Sequence, residues 1–278
     1  CLIFGVGGLP ALGIAGSAIA TVIANIVVCA VLLARFLSRP YAAAYQTRAA
    51  WRPDRTVLAK LLRYGLPAGL QNLLDLSSFT AFIFIIGRNG TIEQMTGNIL
   101  LSINSILFLP MLGLGTATAT LVGQSLGAER KAAAMRYAYR ALHLGWLFQT
   151  AGALFLLGFP RLMLGLFRGD TMPDAVFAQV LAFGTAIIPV IVLYNLFDAA
   201  SVVITGALRG SGDTIFPAVT AIITAWFFFV PLTWLVVGVL RHTIVWAFAC
   251  LAVYVVILML VLWLRFRAGT WRHRRLLT

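Results

Sequence analysis

The chain has 278 residues, of which 61% are hydrophobic and only 10% charged, against roughly a quarter charged in an ordinary soluble domain. That composition excludes a water-soluble globular fold for most of the chain, and lipid is the expected solvent. A net charge of +13 invites a nucleic-acid reading, but the basic residues alternate by loop as the positive-inside rule requires, so no nucleic-acid partner is expected.

In chain order, apolar stretches near residues 11–37, 64–87, 98–126, 141–167, 176–208, 215–240 and 243–264 each reach the ~20 residues that cross the hydrocarbon as helix. In lipid a backbone must satisfy its own hydrogen bonds, and runs this continuous do not suit the alternating strands of a barrel. The expected fold class is therefore an all-α integral membrane protein with seven spans. The chain opens on Cys1 and enters the first span without the basic flank of a signal peptide, which reads as part of a longer protein. Residues 38–63 are the one long polar stretch, rich in arginine and broken by Pro40 and Pro53. They suggest a linker between lobes. Residues 1–37 then supply the last helix of a preceding lobe, 64–266 a six-helix lobe and 267–278 a basic tail. No internal repeat is visible, so a related half is expected outside these residues.

Of the 21 basic residues, 17 fall on one side of the expected spans. Arg35, Arg39, Arg48, Arg52, Arg55, Lys60 and Arg63 precede the second span, and Arg130, Lys131, Arg136 and Arg140 follow the third. Arg209 follows the fifth, and Arg265, Arg267, Arg272, Arg274 and Arg275 close the chain. The other side receives only Arg88, Arg161, Arg168 and Arg241. The basic side is the cytoplasm by the positive-inside rule, the C-terminus lies there, and the tail is a topogenic anchor near anionic lipid. The expected location is the cell membrane, inner or plasma.

Within the spans, Gly115, Ala119, Gly123 and Gly127 recur every four residues, a row of small side chains that lets another helix approach closely. Pro67, Pro110, Pro189 and Pro231 interrupt helix hydrogen bonding and free carbonyls that need other partners. Cys1, Cys29 and Cys250 lack paired or metal-ligand spacing. His143, His242 and His273 have no partner at useful spacing, so no metal role falls to them. Trp51, Trp246, Trp263 and Trp271 sit near span ends as interfacial anchors, and most aromatic rings read as lipid-facing.

Asp75 and Asp198 are the only acidic residues, out of eight, that lie inside apolar runs. A carboxylate at mid-bilayer costs at least ~2.5 kcal/mol on insertion scales and usually faces a cavity where it has a function. Asp75 stands twelve residues from Arg63 and thirteen from Arg88, ~18 Å along a helix from either. Asp198 stands eleven residues from Arg209, ~16 Å by the same rise. The two share a level. Tyr194 and Asn195 precede Asp198 by four and three residues, and Gln71 and Asn72 stand in the same relation to Asp75, so each acid is expected on an oxygen-rich helical face. Such faces suit a hard cation or a transferable proton. The candidate coupling residues are Asp75, Asp198 and Tyr194, with Gln71, Asn72 and Asn195 in support. A bland alternative is that each aspartate is simply satisfied by neighbouring amides and by serines such as Ser77 or Ser201.

Gly210, Ser211, Gly212 and Asp213 spell the GxGD pattern of intramembrane aspartyl proteases, which need two aspartates sharing a proton. Asp213 stands near Arg209 in a short turn, and no Tyr-Asp dipeptide occurs. The protease remains a remote alternative, the ordinary role of Asp213 being a turn or helix cap, and no enzyme is expected.

Several ordered segments together resemble the multidrug and toxic compound extrusion (MATE) transporters. LGIAGSAIATVIAN, residues 12–25, resembles that family's sixth helix, and YGLPAGLQNLLDLSSF, residues 64–79, its seventh. LPMLGLGTATATLVGQSLGAE, residues 109–129, resembles the eighth helix with its following loop, and GALRGSGDT, residues 206–214, follows the tenth. The resemblance implies a twelve-helix exporter of two pseudo-symmetric lobes around a central cavity that alternates its opening. This chain would supply the sixth helix, the linker and the second lobe, partnered by a first lobe of the same protein. In the family an acid of the seventh helix and a Tyr-x-x-x-Asp pair of the tenth contribute to cation binding. Asp75, Tyr194 and Asp198 occupy those positions, although the seventh-helix acid is more often glutamate. The resemblance implies a sodium- or proton-coupled antiporter that exports organic, cationic compounds and needs no cofactor beyond its coupling ion, with sodium, if used, held at Asp75, Asp198 and Tyr194. The alternative within the same superfamily is a flippase for lipid-linked saccharides, whose cavities tend to carry arginines for pyrophosphate. No arginine or lysine is expected at mid-span here.

Overall fold

A computed structural model of the chain describes residues 13–45, 54–169, 172–269 and 271. Among them every regular element is helical, and seven stretches are long and apolar enough to span a membrane, as expected from the sequence. The chain forms two compact units, residues 1–60 and 61–278.

In the first unit, α1 (Gly13–Phe36) is apolar on every side, with Val22, Ile26 and Leu32 exposed. A helix of that kind is one solvated by lipid or by further protein. A short α2 (Arg39–Tyr45) follows and carries Pro40 in its first turn, where a missing N–H costs no intrahelical bond. The next helix, α3 (Arg55–Gly87), begins well before the apolar run at residue 64. Hydropathy marks where lipid contact starts, whereas the helix starts where a first-turn N–H finds a cap. Here the Asp54 carboxylate accepts from the Thr56 N–H at 2.7 Å.

The second unit continues with α4 (Thr91–Gly127), α5 (Lys131–Gly158), a short α6 (Pro160–Gly165) and α7 (Asp174–Gly210). The fourth span thus runs from Lys131 to Gly158, several residues earlier than the 141–167 read from hydropathy. KAAAMRYAYR at its start is helix-forming despite its charge, and Pro160 restricts Phe159 to a non-helical backbone that ends it. The sixth span, Ile215–Val239, is composite. It comprises α8 (Ile215–Ile223), a π-helical turn Thr224–Phe229, α9 (Val230–Thr233) and a second π-helical turn Trp234–Val239. The two π turns flank Pro231, whose ring removes a donor from the ladder. By contrast, α4 and α7 run continuously through Pro110 and Pro189. The last span is α10 (Ile244–Ala268).

Small residues set the central seam. A Cβ on Gly206 of α7 would run into the Gly115 carbonyl of α4, and one on Gly210 into the Ala119 carbonyl. Reciprocally, a Cβ on Gly123 would stand 3.0 Å from the Gly210 carbonyl. These contacts align α4 parallel to α7, with backbones touching as small-residue rows allow. The fourth member of the row expected from sequence, Gly127, has open space around it and takes no part. Earlier along α4, Gly145 and Gly152 of α5 pack against Met111 and Leu107, so α5 runs antiparallel to α4.

An aromatic cluster joins α3, the first π turn and α10. Phe82 lies 5.3 Å from Phe229 and 5.4 Å from Phe248, and Phe229 stacks on Tyr254 at 5.0 Å. These rings are buried, exceptions in a chain whose rings are expected mostly to face lipid. Trp271 also differs from expectation: it is fully buried, stacks on Phe266 at 5.2 Å and donates to the Phe266 carbonyl at 2.9 Å. Its proximity to a span end suggested an interfacial anchor, but the chain turns back at Gly269, with φ 70°, and tucks the indole against the helix it left. Trp246 is exposed, as an anchor would be, while Trp51 lies outside the described residues.

Candidate functional site

Each acid is presented by a long helix in the second unit. Asp75 sits in α3 and is partly buried, and Asp198 sits in α7 with only 7% of its surface exposed. They lie within electrostatic reach of one another. The sequence marked both residues as candidates, and the fold brings them together.

Tyr194, one turn before Asp198, is buried, feels the Asp198 charge and stands beside Asn104 of α4. Tyr254 of α10 feels both carboxylates. Four helices therefore converge on the pair. Gln71 is buried, and its amide donates to Asp75 Oδ2 at 3.4 Å. Asn195 is buried with neither amide atom bonded to protein. Asn72 is exposed and stands apart from this bonded set. Ser78 donates to the Asp75 backbone carbonyl at 2.7 Å, and Ser201 to the Phe197 carbonyl at 3.2 Å. Neither Ser201 nor Ser77, which bonds the Leu74 carbonyl, satisfies a carboxylate.

Oxygens in need of partners remain. Asp75 Oδ1, Asp198 Oδ2, Asn104 Oδ1 and Asn195 Oδ1 are buried without a protein donor, and so are both amide atoms of Gln149 in α5. A buried acceptor left unmet costs ~1–3 kcal/mol, so this many are expected to meet a cation, a proton or ordered water. Hard oxygen donors of this kind fit sodium or a proton, and do not fit a soft transition metal. Among the described residues no group of three or more His, Cys, Asp or Glu is assembled.

Several members of the site were missed in the sequence. Asn104 carried a usable signal, being an amide inside an apolar span. Trp226, from the first π turn, donates to the Leu74 carbonyl at 3.1 Å, next to Asp75, and no sequence pattern announces a π turn. Arg209 was expected in a cytoplasmic turn. It lies in the last turn of α7 and is partly buried, and its guanidinium donates to Gln71 Oε1 at 2.7 Å. The helix persists to Gly210, which aims the arginine back along the lobe instead of out of it.

Asp213, the acid of the GxGD segment, is fully buried and paired with Arg265 of α10 at 3.0 Å. An aspartate neutralised by a guanidinium is not one of two acids sharing a proton, so the protease reading fails on geometry.

The comparisons with known proteins agree with one another. The MatE family model matches residues 67–235. Over 226 residues the chain is 32% identical to the "Probable multidrug resistance protein NorM" of Rhizobium meliloti, an alignment covering 81% of this chain and 48% of that protein. The similarly named protein of Thermotoga maritima is 25% identical over 278 residues, covering 100% of this chain and 58% of the relative. Among solved structures, an outward-facing multidrug resistance MATE family transporter of the MOP superfamily superposes with a TM-score of 0.81 at 17% identity, covering 98% of this chain and 60% of that one. The eukaryotic MATE transporter AtDTX14 gives 0.79 at 21% identity, with 98% and 59% covered. The structural likenesses establish the fold, and the chain spans about half the length of the curated relatives it matches. With over half of its residues matched by the family model and a relative above 30% identity, the chain belongs to the MatE family.

Proposed function

We propose that this chain is the second lobe, with the last helix of the first, of an antiporter that exports organic cations by alternating access in exchange for sodium or protons. The observation that carries the reading is the buried Asp75–Asp198 pair with its unmet oxygens. Two carboxylates in one hollow bind a cation tightly only when it offsets their mutual repulsion, so exchange between coupling ion and cationic substrate follows from charge alone. Differential affinity of the two lobe orientations for ion and substrate then supplies the coupling. Sodium, where it is the coupling ion, would be held by Asp75, Asp198 and Tyr194, with Gln71 and Asn195 nearby. Residues 38–63 serve as the inter-lobe linker, residues 64–266 as the lobe, and the C-terminus faces the cytoplasm beside anionic lipid. The partners are the first lobe of the same protein, a small organic substrate and membrane lipid.

The test is substrate flux by the complete protein in vesicles, first under an imposed sodium gradient and then under an imposed pH gradient. Flux driven by one of them is the expected result, and flux indifferent to both overturns the reading.

The flippase reading gains one observation, the inward-directed guanidinium of Arg209. That group is already engaged by Gln71 and lies within electrostatic reach of Asp75, an acid that would repel a pyrophosphate. Headgroup translocation of a lipid-linked saccharide by the same vesicles would reverse this preference.

A further inference from the structure

Arg209, Gln71 and Asp75 form a chain of polar contacts that the exchange reaction does not itself require. Arg209 donates to Gln71 Oε1 at 2.7 Å, and the amide end of the same side chain donates to Asp75 Oδ2 at 3.4 Å. An amide polarised in this way, with its oxygen held by a cation and its N–H groups turned to an anion, transmits charge between them. The guanidinium also acts on Asp75 directly through space. Its Nε is buried and bonds to nothing in the protein, and Asp75 Oδ1 is likewise unmet. The contact between α3 and α7 is therefore electrostatically incomplete at both ends.

We infer that Arg209 is a tethered cation that competes, through Gln71, with the exchanged cation for the charge of Asp75, and so sets how tightly the site holds that cation. This rests on the exchange reading above. A permanent positive charge on the last turn of α7 favours an ionised Asp75 with no ion bound, and it weakens any cation that arrives. Arginine suits the role because it stays charged at any physiological pH. The benefit is release: two ionised acids without this offset would bind their ion tightly and turn over slowly. The other titratable groups sharing that field are Asp198, Tyr194 and Tyr254, none of them cationic. Gln71 is the positioning residue, since it holds the guanidinium toward α3 without carrying charge.

The experiment uses the full-length exporter in proteoliposomes and reads the concentration of driving ion that gives half-maximal efflux. Arg209→Gln is expected to lower that concentration by about threefold to tenfold, the scale of one unit charge acting at partly buried range. Where protons drive transport, the half-maximal pH rises correspondingly. Gln71→Leu should shift the value in the same direction with Arg209 intact, whereas Arg209→Lys, which keeps the charge, should stay nearer the parent. In an Asp75→Asn background, Arg209→Gln should add almost nothing. A purely structural arginine would lower the maximal rate and leave half-saturation where it was. An unchanged or raised half-saturation in Arg209→Gln overturns the inference while leaving exchange standing. A parent protein that answers to neither ion overturns both. Should Arg209→Gln fail to fold, Gln71→Leu decides the matter by the same criterion.

Discussion

Asp213 and Arg265 form a buried ion pair in which Nε and Nη2 of the arginine each approach Oδ2 of the aspartate at 3.0 Å. The same guanidinium lies over the Phe216 ring, 4.8 Å from its centroid. The pair ties the turn after α7 to the last turn of α10, fixing the end of the lobe from which Arg209 projects. Removing the fully buried aspartate strands a guanidinium that is a quarter exposed, 25% against 1% for the acid, so the cost falls below the ~3 kcal/mol of a fully buried pair. Asp213→Asn is therefore expected to lower the thermal midpoint of the detergent-solubilised full-length protein clearly. Arg265→Met on top of it should recover part of the loss, because no charge is then left unpaired. A double variant less stable than either single one would argue against pairing as the source of the effect.

The α4–α7 seam makes a sharper stability prediction. Gly206→Ala places a methyl group against the Gly115 carbonyl, and separating the helices to admit it should cost ~1–3 kcal/mol as overpacking does. Gly127→Ala belongs to the same sequence row but meets open space. It should be neutral or stabilising by up to ~1 kcal/mol through helix propensity alone. Thermal unfolding of the two variants side by side separates seam from sequence pattern, and equal effects would mean that the row acts as a whole.

The start of α3 carries a small pH dependence. Backbone N–H groups of Thr56 and Val57 hold the exposed Asp54 carboxyl below its ordinary value. A group whose folded pKa is depressed contributes stability that is complete above the unfolded value of ~4 and is lost as pH falls through the lower folded value. Acidification below that point should lower the protection factor of the Thr56 amide, its exchange measured against the free-peptide rate at the same pH, and Asp54→Ala should show the low protection at every pH. An Asp54→Ala protein whose protection still rises with pH would remove the carboxylate as the cause.

The identity of the two acids was legible in the sequence and their proximity was not. Asp75 and Asp198 stand out because charge inside an apolar run is costly. Whether they face one another depends on the rotation of α3 and α7, and the glycine seam at Gly206 and Gly210 sets α7 against α4 alone. Hydropathy alone does not encode that rotation. Helix ends were misread wherever polar residues are helical, as at Lys131 and Arg55, because hydropathy reports solvent and not hydrogen bonding. The same confusion placed Arg209 in a loop. Its bond to Gln71 joins residues 138 apart in the chain, and two side chains with no shared periodicity leave no trace of their meeting.

Within the site, Asp198 and Tyr194 should fail differently. Asp198→Asn keeps the shape and removes the charge of a residue buried among unmet oxygens. Gradient-driven efflux in proteoliposomes should fall at least ~10-fold, the equivalent of ~1.4 kcal/mol in ion binding. Membrane insertion should be intact, since a neutral amide is cheaper than a carboxylate at mid-bilayer. Tyr194→Phe removes one hydroxyl beside Asp198 and Asn104 and keeps the buried ring. Losing a single hydrogen-bonding group of ~1 kcal/mol should raise the half-saturating ion concentration by only a few fold, with maximal flux preserved. Asp198→Asn vesicles that export at the parent rate would count against the carboxylate pair as the coupling site. A Tyr194→Phe ion titration that overlays the parent would exclude the hydroxyl as a ligand while leaving the two acids in place.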